Sequence, residues 1–344
     1  MSKYPDELEP KFRDSAEPLL TDFKPMSVGY VIQRFIEEMA GPHMKAIGES
    51  QMCILRVIQR MPLGKVRADE LDDEHILTFA KQLRNGEYGA RKKARSPATV
   101  NQYIVYLGGA LSFAKSAWRE CKAVKAGAIT DAKPFLVKNR MIGKSEPRKR
   151  VPVGDEIERI LAHYETHTRR RVPMPQIIAF ALVSTGRLGE IARIQWGDID
   201  MDRKDADGND APMYMVRDLK HPTKKLGNNK SFPLFPELAE IIRMMPRLAP
   251  SDPSERVFKF NAKSASASYT VTKKALGITN LRFHDNRRKA ITTWLARLKS
   301  PHKVKLISGH ETTAILERVY DATDPVTLHA ELAKLTLDTV QAHA

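Results

Sequence analysis

The side chains of this sequence that could do chemistry fall in four separated segments. The first is Ser184-Thr185-Gly186-Arg187-Leu188-Gly189-Glu190-Ile191. A glycine beside an arginine at a helix junction lets a phosphate approach the guanidinium, whose planar fork of donors matches phosphate oxygens. Surface pairing of Arg187 with Glu190 is the plainer reading. The second is His284-Asp285-Asn286-Arg287. Residues three apart share a helix face, so His284 and Arg287 project together above a stripe of Ala290, Ile291 and Trp294. A cation beside a proton-transfer group suits phosphoryl transfer, although two ordinary surface residues give the same pattern. The third is Ile307-Ser308-Gly309-His310, followed by Tyr320. Gly309 is placed to end one helix, and Thr312 or Thr313 to begin the next, with Ala314, Ile315, Leu316 and Val319 along it. A partly buried tyrosine that hydrogen-bonds through its hydroxyl would also satisfy this pattern. The fourth is the basic turn Lys220-His221-Pro222-Thr223-Lys224-Lys225, which can carry a lysine into a groove or lie open to solvent.

These segments need elements to hold them. The spacing predicts helices through residues 27–121, with Val28, Val31, Ile32 and Phe35 on one stripe and Met52, Leu55, Val57 and Ile58 on another. A further helix or two is expected over 68–84. The clearest helix starts at Ser96, a good N-cap followed by Pro97, and carries Val100, Tyr103, Ile104, Leu107, Leu111, Ala114 and Trp118. Gly108 and Gly109 inside it weaken the helix and would admit close approach by another helix or a ligand. Residues 123–151 hold Lys133, Lys138, Arg140, Lys144, Arg148, Lys149 and Arg150 with Pro134 and Pro147, and read as a basic interdomain linker. Beyond it, helices are expected over 155–164 and 175–184. Short strands are expected over 213–216 and 231–234, with Gly227-Asn228-Asn229 in the turn between them. The rest reads as helical. The expected fold class is therefore mainly α with a small antiparallel sheet, in two domains.

The formal net charge of +16 over 344 residues favours a polyanionic partner, because neutralised phosphates release condensed counterions. Basic residues cluster at Arg91, Lys92, Lys93 and Arg95, at Arg148, Lys149 and Arg150, and at Arg169, Arg170 and Arg171, where solvated faces would look the same. The first two clusters are the candidate DNA contacts. Cys53 and Cys121 have no metal-ligand spacing around them and read as reduced core residues. The N-terminus lacks an apolar signal core, and no apolar run reaches the roughly 20 residues that span a bilayer. No membrane partner is expected, and the expected location is cytoplasmic, at the nucleoid.

In order and spacing, an arginine, a lysine-bearing strand turn, His-x-x-Arg, Gly-His and a tyrosine, the chain resembles the tyrosine recombinase (phage integrase) family. The resemblance runs over residues 27–322 and is strongest over 185–191 and 283–320, while 96–118 resembles the last long helix of the family's core-binding domain. It implies a polar arm (1–26), a helical, SAM-like core-DNA-binding domain (27–122), the basic linker (123–151), a catalytic domain (152–323) and a C-terminal helix (324–344) that docks on its own domain or on a neighbouring protomer. No folded arm-binding domain is expected within the first 26 residues.

The resemblance also implies roles. Tyr320 would be the nucleophile, and a phenol of pKa about 10 needs help to lose its proton. His284 would be the base or would position that proton. Arg187, Arg287 and His310 would hold the non-bridging oxygens and stabilise the transition state. Lys220, with Lys225 second, would protonate the departing 5′ oxygen. The product would be a 3′-phosphotyrosyl link and a 5′ hydroxyl, and rejoining would need no ATP, metal or other cofactor. The implied partners are double-stranded DNA, three further copies in a homotetramer on two DNA sites, and in some systems an accessory DNA-bending protein. Integration or excision of a mobile element is the leading reading. Dimer resolution of chromosomes or plasmids by the same chemistry, a type IB topoisomerase, and a non-catalytic DNA-binding regulator are the alternatives. Three positions depart from the family pattern. Gly186 directly precedes Arg187, Asn286 stands where an apolar residue is usual, and the interval from His310 to Tyr320 is one residue longer than the commonest.

Overall fold

A computed structural model describes residues 18–88, 93–166, 172–220, 226–314, 316 and 317. The chain divides into two units, residues 1–146 and 147–344. The fold is mainly α with one small antiparallel sheet. The first unit holds α1 (Val28–Met39), α2 (Glu49–Arg60), α3 (Asp73–Asn85), α4 (Pro97–Ala117) and α5 (Ala128–Lys138). The Ser27 side chain caps α1 by accepting the Tyr30 N–H at 3.1 Å, and Ser96 caps α4 through the Thr99 N–H at 3.3 Å. Val28, Val31 and Ile32 of α1 and Val100, Leu107 and Leu111 of α4 are buried in one core. The apolar spacing anticipated both helices, because each stripe repeats at 3.6 residues per turn.

The structure departs from the sequence reading at α5, which occupies the middle of the expected linker. Ala128, Ala132 and Leu136, four residues apart, are buried, and Ile142 beyond them is buried too. Lys133, Lys138 and Arg140 face solvent. The basic residues made the composition look polar, but a single apolar stripe suffices to dock a short helix. This helix also accounts for one of the paired glycines. A Cβ on Gly108 would lie 3.2 Å from Ile129 Cδ1, whereas nothing lies within 4 Å of one on Gly109. The cysteines differ from each other: Cys121 is buried and Cys53 is exposed, not in the core.

The second unit holds α6 (Glu156–Glu165), α7 (Met174–Ser184), the single turn α8 (Leu188–Ile191), strands β1 (Ile199–Asp200), β2 (Met213–Val216) and β3 (Lys230–Pro233), then α9 (Pro236–Arg243), α10 (Ala262–Ala275), α11 (His284–Leu298) and α12 (Pro301–Ser308). The sheet order is β1-β2-β3, with Ile199 opposite Tyr214 and Tyr214 opposite Phe232. Tyr214 and Phe232 point inward, with ring centroids 5.7 Å apart, and Phe180 of α7 meets Tyr214 edge-on at 5.8 Å. Helix α7 is apolar on nearly every side and is the central element, with Met174, Ile177, Ile178, Phe180 and Ala181 buried. Helix α11 is fastened to it where the Trp294 indole N–H donates to the Val183 carbonyl at 2.9 Å. The expected terminal segments, residues 1–17 of the arm and 324–344 of the C-terminal helix, lie outside the described residues.

The α5 finding has a direct test. Leu136→Ala should lower the unfolding free energy by about 2–5 kcal/mol in denaturant titrations, the cost of a large-to-small change in a core. Lys133→Ala, on the solvent face, should stay within about 0.5 kcal/mol. Two equally small effects would return this segment to a tether.

Candidate active site

The Arg187 loop begins where α7 stops. Thr185 takes a left-handed conformation with φ +58° and is buried. A β-branched residue avoids this region, so the conformation needs support. Two bonds supply it: the Thr185 hydroxyl donates to the Ile307 carbonyl at 2.8 Å, and the Thr185 carbonyl accepts from Arg287 Nη1. This is how the chain turns with Gly186 directly before Arg187. The Glu190 carboxylate then closes the loop, accepting the Arg187 backbone N–H at 3.0 Å and its Nη1 at 2.7 Å. The plain Arg187–Glu190 pairing is thus present, and it holds an arginine whose side chain remains 27% exposed.

Arg287 ties three segments together. Its side chain is buried, and Nη2 donates to the Ser308 carbonyl at 2.9 Å while Nη1 reaches the Thr185 carbonyl. The loop after α7, the first turn of α11 and the end of α12 are therefore joined by one guanidinium. His284 shares the face of Arg287, and the two line a cleft with Gly186, Leu188, Ser266 and Arg282. His284 is exposed by area yet ringed by protein. That desolvation, then the positive field of Arg287, Arg187 and Arg288, lowers its pKa. Between them Asp285 is fully buried. It accepts Arg148 Nε at 2.9 Å and Nη2 at 2.7 Å, and the Arg282 N–H at 2.8 Å. Burial pushes the Asp285 carboxyl up, but these bonds outweigh it and its pKa is lowered. Asn286, the polar departure, is buried and accepts the Tyr269 hydroxyl at 3.2 Å.

His310 follows Gly309, which ends α12 in the left-handed region at φ +66°. A Cβ on Gly309 would lie 3.0 Å from Leu219 Cδ2 and 3.2 Å from Phe232 Cζ. The β2–β3 hairpin therefore abuts the residue before His310, and Lys220, the next residue after Leu219, is exposed. The neck of that hairpin is closed by Leu219 N–H to the Asn228 carbonyl and Asn228 Nδ2 to the Leu219 carbonyl, both at 2.8 Å. The Ser308 hydroxyl lies 2.7 Å from His310 Nδ1. Burial, then Arg287 and Arg187, push the His310 pKa down to about 4, against a small opposing pull from Glu190. Beyond it Ala314, Leu316 and Glu317 are helical, and the Glu317 N–H donates to the Thr313 carbonyl at 2.9 Å.

Arg187, His284, Arg287 and His310 thus belong to three segments that Arg287 and Thr185 lace together. Tyr320 and Lys225 lie outside the described residues, as do Arg91, Lys92 and the cluster at 169–171. Lys93 is exposed and Arg95 half-buried. Of the second basic cluster, Arg148 is committed to Asp285 and to Asn280, whose Oδ1 takes Nη1 at 2.8 Å. Arg150 bonds Glu156, and Lys149 between them is exposed. Sequence reasoning did not single out Thr185, Arg148 as a partner of Asp285, or Ser308. Each acts through a contact distant in the chain, and only the polarity of residues beside a motif hinted at it.

The electrostatics give a measurable sign. His310 titrates near 4 in the folded protein against 6.5 in the unfolded chain, so between those values the unfolded state binds more protons. Its contribution to stability is fully present above about pH 6.5 and is lost as pH falls toward 4. In DNA-free protein, the unfolding free energy of wild type minus that of His310→Asn should therefore fall across this window. A difference independent of pH would mean that His310 is not desolvated among these cations.

The profile of the phage integrase family matches residues 153–325, just over half of the chain. A shufflon-specific DNA recombinase of Escherichia coli is 24% identical over 265 residues, 76% of this chain and 61% of the relative, so the chain spans about three fifths of that protein's length. Among solved structures, the Tn1549 transposon integrase in complex with a circular intermediate DNA superposes with a TM-score of 0.63 at 12% identity, covering 90% of this chain and 99% of that one. A λ integrase, solved as a tetramer bound to a Holliday junction, superposes with a TM-score of 0.59 at 14% identity, covering 91% and 85%. At such identities the structural likeness speaks for the fold. The profile covers Arg187, Lys220, His284, Arg287, His310 and Tyr320, and on that ground the chain belongs to the phage integrase family.

Proposed function

We propose that this protein is a site-specific DNA recombinase that breaks and rejoins duplex DNA through a covalent link to Tyr320. The observation that carries the reading is the convergence of the Arg187, His284–Arg287 and His310 segments through the bonds of Arg287 to the Thr185 and Ser308 carbonyls. The Tyr320 oxygen attacks the phosphorus of the scissile phosphate. Its proton passes to His284, which burial and neighbouring cations favour in the neutral, proton-accepting form. The phosphorus–oxygen bond to the 5′ side breaks, and Lys220, or Lys225 of the same hairpin, gives that oxygen its proton. Arg187, Arg287 and His310 neutralise the equatorial oxygens as negative charge builds. The strand is left as a 3′-phosphotyrosyl ester and a 5′ hydroxyl. The reverse attack by a different 5′ hydroxyl rejoins it.

Integration or excision of a mobile element, by a homotetramer on two DNA sites, is the biological setting that fits best. The DNA-bound transposon integrase and the junction-bound λ integrase tetramer support it by likeness, and the net charge of +16 supports a DNA partner. An accessory DNA-bending protein is compatible with this setting. The proposed place of action is the cytoplasm, at the nucleoid. No described helix is long and apolar enough to cross a membrane. Lys93 and Lys149 are the proposed backbone contacts, because each is exposed.

The test is a nicked duplex carrying the cognate site, sought first in DNA flanking the gene. Wild type should trap a denaturation-resistant adduct on the 3′ side of the break. Tyr320→Phe should bind the same DNA and trap none. Arg187→Ala should slow adduct formation by about 10²–10³, the range for removing one donor from a charge-stabilising site. An adduct from Tyr320→Phe would overturn the nucleophile, and DNA binding with no adduct from wild type would make the protein a regulator.

A further inference from the structure

We infer that Ser308 is a positioning residue for His310, whose hydroxyl holds the imidazole as the tautomer with its hydrogen on Nε2. That tautomer offers the Nε2–H as a donor to the scissile phosphate. Only the identity of this acceptor rests on the recombinase reading; the tautomer does not.

Ser308 is 2% exposed and is the last residue of α12. A hydroxyl has one hydrogen to give. Two acceptors lie within reach of this one: His310 Nδ1 at 2.7 Å and the Lys305 carbonyl at 3.5 Å. The Lys305 carbonyl already takes the Gly309 N–H at 3.0 Å. A separation of 3.5 Å also lies beyond the usual range for O–H···O bonds, whereas 2.7 Å lies at its centre. Were Nδ1 the donor instead, the hydroxyl hydrogen would be left to the Lys305 carbonyl at 3.5 Å, so giving it to Nδ1 makes the better set of bonds. A neutral imidazole carries one N–H, so an accepting Nδ1 puts it on Nε2. Burial among guanidinium groups keeps the ring neutral near pH 7, which makes the choice of nitrogen matter.

Ser308 is itself held. Its carbonyl accepts Arg287 Nη2 at 2.9 Å, and its neighbour Ile307 accepts the Thr185 hydroxyl at 2.8 Å. One residue thus receives from Arg287 through its backbone and gives to His310 through its side chain. Two side chains of the site are registered to each other through a single residue. An alanine would keep the first bond and lose the second, leaving Nδ1 without its donor.

The experiment uses full-length protein with isotope-labelled histidine. Long-range proton–nitrogen correlation near neutral pH reads the tautomer, and His310→Gln identifies the resonance. Wild type and Ser308→Thr should show the Nε2–H form, while Ser308→Ala should show a mixture or the Nδ1–H form. On the nicked site, Ser308→Ala should lose about tenfold in cleavage rate, what one ordinary hydrogen bond is worth, at unchanged DNA affinity. Ser308→Thr should restore most of that loss. An Nδ1–H tautomer in wild type, or an alanine variant that keeps both tautomer and rate, would overturn the inference. Should the alanine variant fail to fold, Ser308→Cys, whose thiol is the weaker donor, takes its place in both readings. A tautomer that responds to Ser308 in a protein that never forms an adduct would support the hold on His310 while sinking the recombinase reading.

Discussion

The second unit is organised around the burial of one guanidinium that cannot give up its charge. Arg287 is 3% exposed, and an arginine side chain stays protonated in any protein. Such a group is tolerable only if carbonyl or carboxylate oxygens replace the water it has lost. Here the oxygens are two backbone carbonyls from distant parts of the chain, those of Thr185 and Ser308. The strained turn at Thr185, the seating of α11 on α7 through Trp294 and the close of α12 all serve to bring those carbonyls to one place. Neither carbonyl carries a formal charge, so these two bonds leave the charge of the guanidinium uncancelled.

A second ion lies close by in the chain and is treated in the opposite way. Asp285, two residues from Arg287, is buried and takes a bidentate pair of bonds from Arg148. Arg148 belongs to the stretch of chain that opens the second unit. The carboxylate also accepts the Arg282 N–H, which fixes the approach to α11. One face of this first turn is thereby pinned by a compensated pair, while the other presents His284 and Arg287 to the cleft. The surplus positive field on that side is what lowers the pKa of both histidines after burial has begun the work.

Much of this was legible in the sequence wherever a pattern is local. The α4 stripe, its Ser96 cap and strands β2 and β3 follow from periodicity and turn chemistry within a few residues. The motif residues Arg187, His284, Arg287 and His310 stood out by type and order. What could not be read depends on pairing across the chain. Helix α5 was hidden because its three buried residues are set among Asp131, Lys133 and Lys138, with Pro134 inside the helix. Arg148 looked like a surface cation because its partner lies 137 positions away. Asn286 looked like a defect until Tyr269 supplied its hydrogen. The close spacing of Gly186 and Arg187 gave no sign of the turn, which falls at Thr185, a residue whose type argues against the conformation it adopts.

Gly309 has a consequence for tolerance to change. The backbone there lies at φ +66°, and the space where a side chain would begin is filled by Leu219 and Phe232. The two restrictions are independent, so no single compensating change elsewhere lifts both. An asparagine could accept the dihedral but would still crowd Leu219 and Phe232, and a trimmed Leu219 would open room without easing the backbone. This position is therefore a point where drift is blocked twice, and the hairpin and the α12 terminus must vary as a matched set.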